Sequence, residues 1–251
     1  MMSTQSSPGA RFRSRFVVLW LAGVVSVVLV LPYVLALQGS TLESLGIPLP
    51  ALLLASVVQS AVLLAVSVFV GVRAADAVGL RTPLTDAIAR RSGVRAAFTR
   101  LRPLSAAAIG AAAALAILAL ETVVFRPLIP EFTGAVAGVA PSRLQGLLAS
   151  FYGGIGEEIM TRLFLVSVLA WLLRGRAIWL AILIAALLFA AGHLPAAAGI
   201  SPLTPALVAR TLVLNSLAGI AFGWLYWRRG LEAGMVAHFS ADIVLHVIAG
   251  V

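Results

Sequence analysis

Four ionisable side chains in the last two fifths of the chain have types suited to acid–base chemistry. They are Glu157, His193, His238 and Asp242, and each lies within or at the end of a strongly apolar segment. An ionisable group inside an apolar membrane segment is costly to bury, so each one requires an explanation. Three separate segments thereby supply the carboxylates and imidazoles that water activation or metal binding needs.

The adjacent residues Glu157 and Glu158 are expected to have different partners. Glu158 precedes Arg162 by four residues, an order and spacing that favour an ion pair along one helical face. We interpret Glu158 and Arg162 as a structural pair that neutralises itself. Glu157 points about 100° away on the same helix and has no partner within it. Its carboxylate either faces a wet cavity or stays protonated, and both states make it a candidate general base.

The histidines each have a second interpretation. His238 and Asp242 share one helical face and could be a buried hydrogen-bonded pair that only holds helices together. His193, just before Leu194, could be an interfacial residue. His246 continues the face of His238 towards the end of the chain, where an interfacial role is favoured over a catalytic one.

Depth in a bilayer decides whether these groups can meet. A rise of 1.5 Å per residue places Glu157 and His193 roughly 24 Å from the arginine-rich ends of their segments. His246 comes out at roughly 22 Å and His238 at roughly 10 Å. The sequence predicts that Glu157, His193 and the histidine face of the last segment meet at one level, with His238 the poorest match.

The composition indicates a membrane protein. Hydrophobic residues make up 61% of the chain and charged residues 11%, against about a quarter charged in soluble domains. Together with a mean hydropathy of +1.08, these values exclude a soluble globular or disordered chain. The absence of cysteine excludes disulfide scaffolds, cysteine proteases and iron–sulfur sites. The net charge of +9 comes from short arginine clusters between apolar runs, which is typical of an orientation signal, and no nucleic-acid partner is expected.

Seven stretches are long and apolar enough, or nearly so, to cross a bilayer, which needs roughly 20 mostly apolar residues. They are Phe16–Leu37, Ala51–Val72, Leu104–Phe125, Leu144–Leu173, Ala177–Leu194, Ala206–Trp227 and Leu231–Val251. Fourteen of the eighteen arginines fall on one side of this arrangement, and the positive side faces the cytoplasm. The sequence therefore predicts an all-α polytopic membrane protein of about seven transmembrane helices, with a cytoplasmic N-terminus and a catalytic core in the C-terminal four.

The predicted organisation has three parts. Residues 1–15 form a cytoplasmic basic N-terminus, and residues 16–143 carry the first three membrane helices with a cytoplasmic loop over 73–103. Residues 144–251 carry the catalytic core.

Several features outside the core have structural interpretations. Segment 82–101 is predicted to begin a helix at Thr82 and Pro83, and it either lies on the inner leaflet or is an ordinary basic loop. Glu121, near the outer end of the third span, is expected to face lipid headgroups. The small-residue pair Gly219 and Gly223 indicates helix packing.

Three motifs in the core resemble those of the CPBP family of CAAX-protease and bacteriocin-processing intramembrane enzymes. Glu157-Glu158-Ile-Met-Thr-Arg162 matches EExxxR, Phe189-Ala-Ala-Gly-His193 matches FxxxH, and His238-Phe-Ser-Ala-Asp242 matches HxxxN/D. Order and spacing agree, and each motif lies on a separate predicted span. The resemblance covers roughly Leu144 to the C-terminus, and the first half matches only as hydrophobic spans.

The resemblance implies a membrane-embedded endopeptidase related to the type II CAAX prenyl endopeptidase. By that resemblance Glu157 would activate the attacking water, His193 would assist it, and His238 and Asp242 would stabilise the oxyanion. Family members are labelled metalloproteases, and a metal-free glutamate mechanism is also proposed for them. A divalent metal such as zinc, if present, would be held by His193, His238, Glu157 and Asp242. Many relatives have Asn at position 242, so Asp242 must be protonated, orient His238 or bind a metal, because an ionised carboxylate cannot donate a hydrogen bond.

The predicted function is an intramembrane endopeptidase that acts on membrane-associated protein or peptide substrates. The expected location is the lipid bilayer of a bacterial cytoplasmic membrane. A non-catalytic scaffold or immunity protein of the same fold is one alternative, and it would predict the loss of at least one motif. A proton- or metal-coupled transporter is another, and it would more often show internal repeats. Because all three motifs are intact and no repeat is found, the protease is favoured.

Overall fold

A computed structural model describes residues 8–44, 46–138 and 141–250. Residues 1–7 of the predicted basic N-terminus lie outside these ranges. The described residues form helices and connecting turns without a β-strand, which confirms the predicted all-α fold. Six helical segments among them are long and apolar enough to cross a membrane. These six are Gly9–Gly39, Leu49–Val78, Val94–Leu128, Ile178–Ala198, Pro205–Arg229 and Leu231–Ala249.

The difference from the seven predicted spans is the fourth, Leu144–Leu173. It is a continuous helical run formed by α7 (Arg143–Phe151), two π-helical segments (Tyr152–Glu157 and Ile159–Val166) and α8 (Ser167–Leu172). Glu157, Glu158 and Arg162 place three charged side chains within six positions, whereas the apolar part of each of the other six carries at most two. The charged residues of the EExxxR motif therefore set this run apart.

The first half begins with two long helices, α1 (Pro8–Glu43) and α2 (Leu49–Val78). The predicted helix over 82–101 is two short helices, α3 (Pro83–Ala89) and α4 (Val94–Leu101). The chain breaks between them because Arg91, just after α3, has a φ of 52°, in the left-handed region that ends helices, and Gly93 at φ 71° then precedes α4.

Polar contacts tie α3 to α1 and α12, and through Arg15 to α2. Arg15 of α1 lies 2.9 Å from a carboxylate oxygen of Asp76 on α2 and 2.9 Å from one of Asp86 on α3. The backbone N–H and hydroxyl of Thr85 both donate to Glu232 Oε1 at 2.7 Å. Glu232 is buried, and it opens the helix that later carries His238.

The middle of the chain corrects one prediction. After α5 (Pro103–Leu120) a π-helical segment (Glu121–Phe125) and a 3-10 turn (Arg126–Leu128) lead to α6 (Pro130–Gly138). Glu121 was expected to face lipid headgroups, but it is buried, and its Oε2 accepts from Arg210 Nε at 2.8 Å. The carboxylate turns inwards because an arginine from another helix neutralises it there.

The remaining helices are α9 (Ile178–Ala191), α10 (Leu194–Ala198), α11 (Pro205–Arg229) and α12 (Leu231–Asp242), followed by a π-helical segment over Ile243–Ala249. Small residues allow four of the helices to pack closely in two pairs. A Cβ on Gly219 would lie 2.9 Å from Ala186 Cβ, and one on Gly223 would lie 2.8 Å from Ile182 Cγ2, so α11 packs closely on α9. A Cβ on Gly110 of α5 would overlap the carbonyl oxygen of Ala237 on α12.

The run from 143 to 172 lies at the centre of this packing. It contacts α1 and α2 on one side and α12 on the other. One cluster of buried apolar side chains joins it to α1, α2 and α9, and a second joins α5, α11 and α12. Side chains from the run, from α9 and from α12 can therefore meet between the two clusters.

Candidate active site

A glycine-rich π-helical segment, Tyr152–Glu157, brings the first and third motifs together. A Cβ on Gly153 would overlap Asp242 Oδ2 and would lie 3.1 Å from His238 Nε2. A Cβ on Gly154 would lie 2.9 Å from Phe239 Cβ. Only glycine allows α12 to approach so closely, and π-helical turns occur frequently at functional sites. The three sequence motifs give these glycines no role, although their close spacing before Glu157 is a signal for close packing.

The carboxylate of Glu157 lies between two imidazoles from two other helices. Its Oε1 is 4.0 Å from His193 Nε2, and its Oε2 is 3.7 Å from His238 Nε2. Both distances are too long for a direct hydrogen bond and are of the size that a bridging water spans. The Glu157 side chain is 19% exposed, so it is neither sealed in the core nor free on the surface.

His193 is held by the motif that contains it. It follows the last turn of α9, and its Nδ1 lies 2.9 Å from the carbonyl oxygen of Phe189. Because a carbonyl oxygen only accepts, Nδ1 carries the proton, and the lone pair on Nε2 is available on the side of Glu157. The ring of Phe189 meets the imidazole edge-on, with 4.7 Å between centroids. The spacing in FxxxH thus fixes both the tautomer and the direction of the ring.

His238 is buried and oriented by Glu158. Its Nδ1 lies 2.9 Å from Glu158 Oε1, which is also 3.0 Å from Arg162 Nη1. The ring of Phe222 stacks on the imidazole with 4.6 Å between centroids. Arg162 in turn donates to the carbonyl oxygen of Gly219 at 3.1 Å. The pair Glu158–Arg162 therefore also holds one nitrogen of His238, which leaves Nε2 facing the other carboxylates.

Asp242 lies beside the Nε2 side of His238. Its Oδ1 is 3.6 Å from His238 Nε2 and 4.0 Å from His246 Nε2. The first distance is too long for the hydrogen bond that would orient an imidazole. Since Glu158 holds His238 at the other nitrogen, the orienting role considered for Asp242 is filled by Glu158 instead.

Two residues extend this polar cluster beyond the predicted set. His246 was expected at the membrane interface, but its side chain is 27% exposed and faces Asp242. Its Nδ1 lies 3.4 Å from the hydroxyl of Tyr33 on α1. No local pattern in the sequence indicated Tyr33, because α1 reads as a uniformly apolar span. The N-terminal half therefore contributes a polar group at the edge of the cluster.

The donor types of the cluster suit zinc, but the spacing does not. In a tetrahedral zinc site with bonds of about 2.0 Å, neighbouring ligand atoms are about 3.3 Å apart. The contacts around His238 Nε2 and Glu157 are 3.6, 3.7 and 4.0 Å. Among the described residues, no group of three or more His, Asp or Glu side chains is arranged to hold a metal ion. The arrangement does not fit a metal, and no step proposed below uses one.

One family model matches the part of the chain that carries this cluster. Residues 139–244 match the family described as Type II CAAX prenyl endopeptidase Rce1-like, and all four predicted site residues fall within the match. No curated protein and no solved structure matches the chain. The resemblance read from the three motifs is thereby confirmed: over residues 139–244 this membrane protein is similar to the Rce1-like type II CAAX prenyl endopeptidases, a family of membrane proteases.

Proposed function

We propose that this protein is an intramembrane endopeptidase that hydrolyses peptide bonds of membrane-associated protein or peptide substrates. The observation that carries the proposal is the position of Glu157, with its two carboxylate oxygens 4.0 and 3.7 Å from the Nε2 atoms of His193 and His238. Similarity to membrane proteases over residues 139–244 supports the same class of reaction. The expected location is a bacterial cytoplasmic membrane.

The attacking water lies between Glu157 and His193 in this proposal. A water about 2.8 Å from each acceptor would subtend about a right angle across the 4.0 Å gap, which is close to the angle between its two O–H bonds. It donates one hydrogen bond to Glu157 Oε1 and another to His193 Nε2. Glu157 then removes its proton as the water oxygen bonds to the carbonyl carbon of the substrate.

The oxyanion that forms on the substrate is placed against His238. When His238 carries protons on both nitrogens, it donates through Nδ1 to Glu158 and through Nε2 to the oxyanion. A protonated Asp242 adds a second donor on the same side. Glu158 and Arg162 keep the imidazole in place during this step, so they act as positioning residues.

The last step breaks the carbon–nitrogen bond of the peptide. Glu157 returns the proton that it took from water to the leaving amine nitrogen as the tetrahedral intermediate collapses. The products are a carboxylic acid, which keeps the second proton of the water, and an amine, and the site regains its starting protonation. No covalent enzyme intermediate forms.

The test of this proposal is Glu157→Gln, which keeps the shape of the side chain and removes the base. The purified protein is reconstituted in liposomes with a library of membrane-proximal peptides, prenylated and unprenylated, and products are read by mass spectrometry. Loss of a general base should lower the cleavage rate by about 10²–10⁴-fold. Folding, followed by thermal melting, should be preserved, because Glu157 makes no direct ion pair shorter than 3.7 Å.

The matched control is Glu131→Gln, which neutralises an exposed glutamate on α6 and should leave the rate unchanged. Full activity of Glu157→Gln on a verified substrate would contradict the assignment of the base. Cleavage of no peptide by the parent protein would favour the non-catalytic scaffold.

A further inference from the structure

Four arginines and a tryptophan line an open cavity of about 370 Å³ outside the candidate active site. The lining residues, hereafter the arginine cavity, are Arg100, Arg102, Trp224, Arg228 and Arg229. They come from the junction of α4 with α5 and from the C-terminal turn of α11. The cavity lies on the side of the molecule that carries most of the arginines.

The charge in the arginine cavity is of one sign. No carboxylate of the described residues lies within 4.0 Å of any of its four guanidinium groups, whereas Arg15, Arg162 and Arg210 all have such partners. Arg229 is held in place, because its Nη1 donates to Ser105 Oγ at 2.6 Å and its Cζ lies 6.0 Å from the ring of Trp224. A cluster of guanidiniums without local carboxylates is a site for an anion.

A helix terminus adds to this field. The 18-residue helix α5 begins beside the cavity, with Arg102 at its N-cap and without a side-chain cap. Its first-turn N–H groups and the positive end of its dipole favour an anion there. Arg102 has a φ of 50°, which is uncommon for a residue other than glycine and turns the chain sharply between α4 and α5. This turn lets Arg100 and Arg102 line the same cavity.

The surroundings of the cavity are apolar and exposed. Phe98 on α4 is 49% exposed and Leu104 at the start of α5 is 87% exposed. Arginines beside exposed apolar side chains and a tryptophan are typical of the level where lipid headgroups meet acyl chains. These neighbours favour an anion that is attached to a lipid over one that is free in water.

We propose that the arginine cavity binds the phosphate headgroup of an anionic phospholipid. Basic pockets between membrane helices on the cytoplasmic side bind such headgroups, and the paired donors of guanidinium fit phosphate oxygens. The site takes one lipid molecule, which distinguishes it from diffuse attraction of the whole basic surface. It does not depend on the protease reaction.

The test counts lipids on the delipidated full-length protein by native mass spectrometry during titration with phosphatidylglycerol. One molecule of phosphatidylglycerol should bind to the protein more tightly than phosphatidylcholine does. Arg102→Gln/Arg228→Gln should weaken this binding about 10–30-fold, because each arginine near an anionic headgroup is worth about fivefold. The single variant Arg228→Gln, at an exposed position, should weaken phosphatidylglycerol binding about fivefold. It replaces the double variant in the test if the double variant does not fold.

The matched control is Arg174→Gln/Arg176→Gln, which removes two exposed arginines, one of them also in the left-handed region at φ 54°. It should leave the bound lipid in place. Equal weakening by both pairs would overturn the proposal in favour of diffuse surface charge. Unchanged binding after Arg102→Gln/Arg228→Gln would also overturn it, and so would displacement of the lipid by an equal concentration of inorganic phosphate.

Discussion

Two adjacent glutamates in the candidate site have different surroundings. Glu157 faces two imidazole nitrogens across gaps of 3.7 and 4.0 Å, whereas Glu158 makes contacts of 2.9 and 3.0 Å to His238 and Arg162. The gaps of 3.7 and 4.0 Å leave room for a bridging water, whereas the contacts of 2.9 and 3.0 Å do not. We infer that Glu157 moves protons and that Glu158 holds the histidine.

The variant Asp242→Asn distinguishes a metal-free mechanism from a metal-dependent one. If Asp242 donates a hydrogen bond to the oxyanion, the amide of Asn can replace it, and the cleavage rate should stay within about tenfold of the parent rate. If Asp242 binds a metal, the variant should lose bound metal and chelators should inhibit the parent. Cleavage assays with and without chelator, together with the metal content of the purified protein, check this.

The control for that experiment is Asp76→Asn, which removes an exposed carboxylate that pairs with Arg15 far from the site. It should leave the cleavage rate unchanged. Inhibition of the parent by a chelator, reversed by added zinc, would contradict the metal-free route.

At the scale of elements, the contact between the run 143–172 and α12 forms the site. Gly146 and Gly153 both lie against the last helix: a Cβ on Gly146 would be 2.7 Å from the carbonyl oxygen of His246, and one on Gly153 would overlap Asp242. The widened turns over Tyr152–Glu157 accompany this contact. A change in either feature should therefore move Asp242 relative to Glu157.

Gly153→Ala should impair the site more than it impairs the fold. The added methyl group must displace the carboxylate of Asp242, and a misplacement of about 1 Å can cost about 10²-fold in rate. Overpacking of this kind costs about 1–3 kcal/mol of stability, so the variant should still fold. Cleavage rates measured well below the melting temperature check the prediction.

Gly134→Ala on α6 is the matched control, because nothing lies within 4 Å of a Cβ there. It should leave the rate unchanged and should not lower the melting temperature, because alanine is a better helix former than glycine. If Gly153→Ala kept the parent rate, the approach of α12 would not determine the site geometry.

The helices and the motif residues could be predicted because each depends on a short stretch of the sequence. Bilayer thickness sets the length of an apolar run, and a charge inside such a run is conspicuous. The relative depths could not be predicted. A uniform rise placed His238 roughly 14 Å short of Glu157, yet the two side chains are 3.7 Å apart. That estimate assumes upright helices that all begin at the same depth, and α12 does not meet this assumption.

At the scale of the whole molecule, the arginines indicate which side faces the cytoplasm. Fourteen of the eighteen lie on one side of the predicted arrangement. The loop between α3 and α4 lies on that side, and α6 is predicted on the other. The structure shows both segments outside the long apolar helices, so both are suitable for chemical labelling.

Cysteines introduced into this cysteine-free chain should report the orientation. Ser92→Cys and Glu131→Cys replace exposed residues in the α3–α4 connection and in α6. In intact cells or right-side-out vesicles, a membrane-impermeant thiol reagent should label position 131, and it should label position 92 only after permeabilisation. Labelling of both positions from outside would contradict the predicted topology, and the unsubstituted chain gives the background.

Long-range pairs were beyond prediction from one sequence. Arg210 and Glu121 are 89 positions apart, and Thr85 and Glu232 are 147 positions apart. Nothing in the local pattern links such partners, because each depends on which helices become neighbours. Glu121 was consequently expected at the headgroups, and Glu232 received no role.

The order in which the chain is synthesised gives the close contact at Gly153 a further consequence. Glu157 is made first, His193 next, and His238 and Asp242 only with α12. The backbone surfaces that receive α12, around Gly110 and Gly153, are already in the membrane by then. A nascent chain that has not yet inserted α12 has Glu157 without its His238 and Asp242 neighbours. Until α12 has inserted, the hydrolysis proposed above would lack the histidine and the aspartate that face the oxyanion.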